Sequence, residues 1–90
     1  MKFKYRLPDF WIEIVSNMEE FANGATQVSI KTKDGQNFNE ILISNSTWII
    51  AMRGCTDLPF NINDIVEIYQ TEEDKQPKER GGWHFWDNWK

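Results

Sequence analysis

Asp34-Gly35 stands between two stretches of alternating side chains, and this pair constrains the fold more than any other feature of the chain. Before it, Val28, Ile30 and Thr32 alternate with Ser29, Lys31 and Lys33, the period of two that marks a strand with two unlike faces. After it, Phe38, Glu40, Leu42 and Ser44 alternate with Asn39, Ile41 and Ile43, so this second strand does not declare which face is inward. Asp-Gly between two such runs is a hairpin signal, because glycine takes the positive backbone angles a tight turn needs. A second turn follows at Ser44-Asn45-Ser46-Thr47. Residues 48–53 are apolar until Arg53, as in a strand covered on both sides. Residues 54–59 read as a loop, residues 60–64 as one short turn, and residues 65–69 as the last strand.

Ahead of the strands, Pro8-Asp9 opens a helix. Phe10, Trp11, Ile14, Val15, Met18, Phe21 and Ala22 fall on one helical face, with Glu13, Asn17, Glu19 and Glu20 mostly opposite. Ile12 breaks this pattern and is expected at the surface. Asn23-Gly24 supplies the stop. The fold expected is mainly β, of the α+β kind. An N-terminal amphipathic helix precedes a small, bent antiparallel sheet or partly open barrel of four to five strands, and an aromatic C-terminal tail follows. Ninety residues allow one domain, assigned to residues 1–70. Residues 71–82 contain no aliphatic side chain and read as a polar linker. Residues 83–90 form the aromatic tail, which packs on the domain or on a partner.

The helix, Val28-x-Ile30, Asp34-Gly35, Phe38, Leu42 and Ser44 together resemble the first motif of Sm-like proteins. Met52-Arg53-Gly54 is similar to the Arg-Gly of that family's second motif. The resemblance covers about half the chain. It implies a short, strongly bent SH3-like small barrel, and with it ring assembly and RNA binding. Leu58-Pro59-Phe60, followed by residues 64–68, likewise resembles the closing elements of other SH3-like barrels. Glu40 stands where the Sm-like family has a glycine that lets the second strand bend. Residues 45–48 lack the Asp and Asn that hold a base in that family.

Charge points to protein rather than nucleic acid as the partner. Residues 7–70 carry nine acids and three bases, a balance of -6, which repels a phosphate backbone and suits a basic or zwitterionic surface. No apolar run reaches the length of a membrane span, and no signal-peptide stretch follows residues 1–7, so a cytoplasmic location is expected. The single cysteine, Cys55, excludes an internal disulfide framework and a multi-cysteine zinc site. The lone His84 lies far along the chain from it, so no nucleophile–base pair can be read, and no catalytic, cofactor or metal set is expected. Gly81-Gly82 lacks the lysine and hydroxyl residue of a phosphate cradle.

What remains is the tail. Three of the five tryptophans lie in its last eight residues, and Trp83, Phe85, Trp86 and Trp89 are the candidate partner-binding residues. The functional expectation is a small non-enzymatic protein–protein interaction module of the inhibitor, immunity or phage accessory type. It would have a protein partner or a second copy of itself. The alternative is an oligomeric Sm-like RNA-binding protein.

Overall fold

Strand β2 (Ala25–Thr32) and strand β3 (Asn37–Ser44) form the hairpin that Asp34-Gly35 announces. The three-residue loop closes with Thr32 N–H donating to the Gln36 carbonyl at 3.0 Å and Gly35 N–H donating to that of Thr32 at 2.9 Å. Gly35 sits at φ 87°, the left-handed position that ends this type of hairpin loop. The structure, a computed structural model, describes residues 3–77. Three further strands complete one antiparallel sheet: β1 (Tyr5–Arg6), β4 (Trp48–Met52) and β5 (Ile65–Tyr69). Their order is β1-β4-β3-β2-β5, and the sheet curls into a half-barrel. Strand β4 therefore has β3 on one side and only the two-residue β1 on the other.

Three register shifts, in β3, β4 and β5, accompany the curl, and the first explains the unclear face of the second strand. Val28 faces Ile41 and Ile30 faces Phe38, so two steps along β2 match three along β3. The extra residue lies at Asn39-Glu40, where Glu40 takes φ 56°. Phe38 points inward before the bulge, and Ile41 and Ile43 point inward after it. In β4, Leu42 faces Ala51 while Ile43 faces Ile49, which leaves Ile50 as the extra residue. Bulges of this kind bend a strand and sharpen its twist.

The inner face holds the main core: Leu7, Val15, Val28, Ile30, Ile41, Ile43, Ile49, Ile65 and Ile68. Helix α1 (Asp9–Ser16) packs there, as do Leu58, Phe60 and Ile62 from the loop and 3-10 turn (Ile62–Asp64) ahead of β5. Phe60 stacks at 4.8 Å from Phe38. The outer face carries a second cluster, Leu42, Ile50 and Ala51, packed by Phe21, Ala25 and Trp48.

Helix α1 differs from the helix expected. It starts after Pro8, whose carbonyl accepts from Trp11 and Ile12, but it ends at Ser16 and does not reach Asn23-Gly24. The Ser16 hydroxyl and the Asn17 amide both donate to the Glu13 carbonyl, at 2.7 and 2.9 Å. Such side chains compete with the backbone for the helix's own acceptors. Strand β1 precedes it, so the helix is not the first element. Its packed face is Trp11, Ile12, Val15 and Met18. Phe10 is 67% exposed, and Ile12, expected at the surface, takes its place against the core.

A second helix, α2 (Glu72–Lys75), lies within the stretch expected as linker. Thr71 caps it: its hydroxyl accepts from Asp74 N–H, and its own N–H donates to the Asp74 carboxylate. This reciprocal capping box starts a helix without any apolar residue.

Candidate functional site

Helix α1 lays its apolar stripe on the core, so its opposite stripe faces solvent. Phe10 and Glu13, three residues apart, are neighbours on that outward side. Phe10 stands edge-on to Trp11, with ring centroids 4.9 Å apart, which anchors its base while leaving its ring exposed. Beyond the helix, Glu19 and Glu20 are also exposed. Their position is fixed by Gln70 at the end of β5. The Gln70 side chain accepts from Glu19 N–H at 3.0 Å and donates to the Glu19 carbonyl at 2.9 Å and the Gln27 carbonyl at 3.0 Å. One glutamine side chain thus stands in for a strand neighbour. Val66, 52% exposed, adds an apolar residue on the outside of β5.

Four other acids are compensated. Asp57 pairs with Lys4, Asp9 with Arg6, Asp64 with Lys33 and Glu40 with Arg53, at 3.2–3.5 Å. Glu67 stands opposite Lys31 in the β2–β5 register. Glu13, Glu19 and Glu20 have no cation within ion-pair distance among the described residues. The exposed carboxylates of Glu13, Glu19 and Glu20 therefore leave acidic charge along α1 and the turn that follows it without a paired cation among the described residues.

A second polar cluster ties the loop after β4 to the N-terminal strand. The Tyr5 phenol donates to the Asp57 carboxylate, which also accepts from Leu58 N–H at 2.8 Å. The phenol's bond holds the Asp57 carboxyl below the usual carboxylate range, helped by Leu58 N–H and Lys4. The same bond raises the Tyr5 phenol above its ordinary value. In the hairpin loop, the Thr32 hydroxyl and then Gln36 N–H lower the Asp34 carboxyl.

A third is buried. The Asp74 carboxylate is 1% exposed and accepts from Gln27 Nε2 and Ser29 Oγ, both at 2.8 Å, and from Thr71 N–H at 2.9 Å. Gln27 and Ser29 alternate with the core residues Val28 and Ile30, so α2 is clipped to the outer face of β2.

The candidate residues Trp83, Phe85, Trp86 and Trp89, and His84, lie outside the described residues. Cys55 is half-buried, with its N–H donating to the Met52 carbonyl at 3.0 Å. Among the described residues no group of three or more His, Cys, Asp or Glu is placed to hold a metal ion. No helix among them is long and apolar enough to cross a membrane. The sequence pattern put Phe10 on the packed face, and so missed the exposed aromatic beside Glu13. Moving the stripe one residue on, to Trp11, Ile12, Val15 and Met18, gives the observed face. Compared with protein-family models, with curated proteins and with solved structures, the chain matches none.

Proposed function

We propose that this chain is a small non-enzymatic protein-interaction module whose contact surface is the outward side of α1. The observation that carries the reading is an exposed aromatic ring, Phe10, on the same outward side of α1 as Glu13, with Glu19 and Glu20 exposed in the turn after the helix and none of the three within ion-pair distance of a cation among the described residues. An aromatic anchor within an uncompensated acidic rim complements a partner that offers an apolar recess ringed by Lys or Arg. The rim steers the encounter, and the ring supplies the buried contact.

The second reading, an Sm-like oligomeric RNA-binding protein, draws support from Glu40. Its φ of 56° places a bend in the second strand of the hairpin, where the resembling family uses glycine. The same acidic body opposes a phosphate backbone, which is why this reading ranks second.

Affinity capture on the immobilised full chain, from extracts of the native host, tests the proposal. A specific protein should be recovered by the native chain. It should be lost with Phe10→Ala, and weakened by added salt and by Glu13→Lys with Glu20→Lys. Both variants should melt as the native chain does, because neither site contributes to the core. Capture that ignores all three substitutions, or recovery of RNA instead of protein, would overturn it.

A further inference from the structure

We infer that Asn23-Gly24 is a self-modification site: the Gly24 backbone nitrogen attacks the Asn23 side-chain amide, and the asparagine becomes aspartate or isoaspartate. Phe10 and the α1 surface are not involved, so this stands or falls apart from the proposed function.

No other asparagine in the chain is followed by glycine. The pair fills the two central positions of a tight turn, closed by Ala25 N–H donating to the Ala22 carbonyl at 3.0 Å. Gly24 takes φ 76° whereas Asn23 stays outside the positive-φ region, the combination of a type II turn. Asn23 is exposed, so water reaches its amide. Glycine on its C-terminal side places no Cβ between the attacking nitrogen and the amide carbon.

Both reacting groups are ready to move. Among the described residues, neither the Asn23 side-chain amide nor the Gly24 N–H has a hydrogen-bond partner. Asp34-Gly35, which could close the same five-membered ring, is the contrast within the chain. There the Gly35 N–H donates to the Thr32 carbonyl at 2.9 Å. The Asp34 carboxylate accepts from the Thr32 hydroxyl and from Gln36 N–H. Those bonds hold it in its charged form, which is a poor electrophile.

The reaction needs only water as co-reactant. The Gly24 nitrogen bonds to Asn23 Cγ and gives up its proton, the Cγ–Nδ2 bond breaks, and the side-chain nitrogen leaves as ammonia. Water then opens the cyclic imide. Opening at Cγ gives aspartate, and opening at the main-chain carbonyl of residue 23 gives isoaspartate, whose backbone runs through the former side chain. Either product adds one negative charge to the chain's -4. Isoaspartate also lengthens the backbone inside a two-residue turn. That turn leads directly into β2, and the Gly24 carbonyl accepts from Asn45 N–H at 2.8 Å, which ties it to the turn between β3 and β4. An extra backbone atom there works against both the Ala22–Ala25 closure and the Asn45 bond.

The test incubates the full chain in mildly alkaline buffer, which assists loss of the Gly24 proton, and maps its peptides by mass spectrometry. The mass change of an amide NH2 becoming OH should build up at Asn23 before it does at any other asparagine. An Asn23 that stays an amide, or that converts after another asparagine, overturns the inference. Repeating the incubation in urea separates the fold from the local sequence. Isomerisation at Asp34 should speed up about tenfold on unfolding, a ratio worth about 1.4 kcal/mol, the scale of the hydrogen bond Gly35 N–H must give up to attack. Conversion at Asn23, whose groups are already unbonded, should change less, and an equal acceleration at both sites contradicts the assignment. The isoaspartate form, separated by chromatography, should melt several degrees below the Asn23→Asp variant, which carries the same charge on an unaltered backbone. Equal midpoints would show that the turn does not feel the modification.

Discussion

At residue scale, Glu40 makes a costly backbone choice, one it shares among the described residues with Asn45 and Ser46 in the next turn. A non-glycine residue in the left-handed region costs about 1–3 kcal/mol, and Glu40 sits there at φ 56°. Its carboxylate adds only a 3.5 Å, half-buried pair with Arg53, and partly solvated pairs of this kind contribute about 1 kcal/mol or less. Glu40→Gly should therefore stabilise the protein by about 1 kcal/mol, read as a rise of several degrees in a thermal melt. Tyr5 and Asp57 make a prediction of a different kind. The folded Asp57 pKa lies below its unfolded value, chiefly because the Tyr5 phenol donates to the carboxylate. Its contribution to stability is then present above about pH 4 and lost as pH falls through the depressed folded value. Tyr5→Phe removes the donor, so the Asp57 carboxyl should titrate at higher pH, measured by NMR on its side-chain carbon. A midpoint unmoved by the substitution contradicts the assignment.

At the scale of elements, helix α2 shows how four charged and polar residues hold a position without apolar burial. Its attachment rests on the Asp74 carboxylate and three donors from Gln27, Ser29 and Thr71. Asp74→Ala would leave buried Gln27 and Ser29 donors unsatisfied, at a cost of about 3 kcal/mol in urea unfolding. The β2–β3 hairpin, by contrast, was legible in the sequence, since Asp34-Gly35 and the alternation of Val28 and Ile30 state its turn and its face. Three things were not legible. The inward switch from Phe38 to Ile41 depends on a bulge that no glycine advertises. The early end of α1 depends on Ser16 and Asn17 turning back to Glu13, a choice local propensity leaves open. Helix α2 carries no hydrophobic period, so a pattern search passes over it. Gly24 was read as a helix stop, yet it serves β2. Its carbonyl accepts from Asn45 N–H at 2.8 Å, and an added Cβ would come within 2.8 Å of Asn45 Oδ1.

At the scale of the whole molecule, charge decides which partners can approach. The -6 balance of residues 7–70 is spread over a body of 31 × 27 × 22 Å, larger than the Debye length of about 8 Å at physiological salt, so a ligand feels chiefly the acidic charges on the side it approaches. Single-stranded RNA should bind more weakly than about 1 µM at physiological salt, as non-specific contacts do. A tighter dissociation constant, measured by fluorescence anisotropy, would favour the Sm-like reading. Nothing in the resemblance to Sm-like barrels made the exposed Phe10 visible, because a family's shape says nothing about which aromatic a particular helix turns outward.

Strand β2 has a consequence in time as well as in space. It is covered by the α1 side of the core within and by α2 without, and it is paired along both edges, by β3 and β5. Its partner in the hairpin follows it directly in sequence, whereas β1 must wait for β4, more than forty residues away, before it can pair. Local loops close at lower entropic cost than distant ones. The hairpin is thus suited to form early in folding and to open last in the native state. The amides of Val28 and Ile30 should exchange with deuterium most slowly, while Tyr5 and Arg6 exchange first. The N-terminal strand then behaves as a latch, fastened after the rest of the chain is in place and released before any of it comes apart.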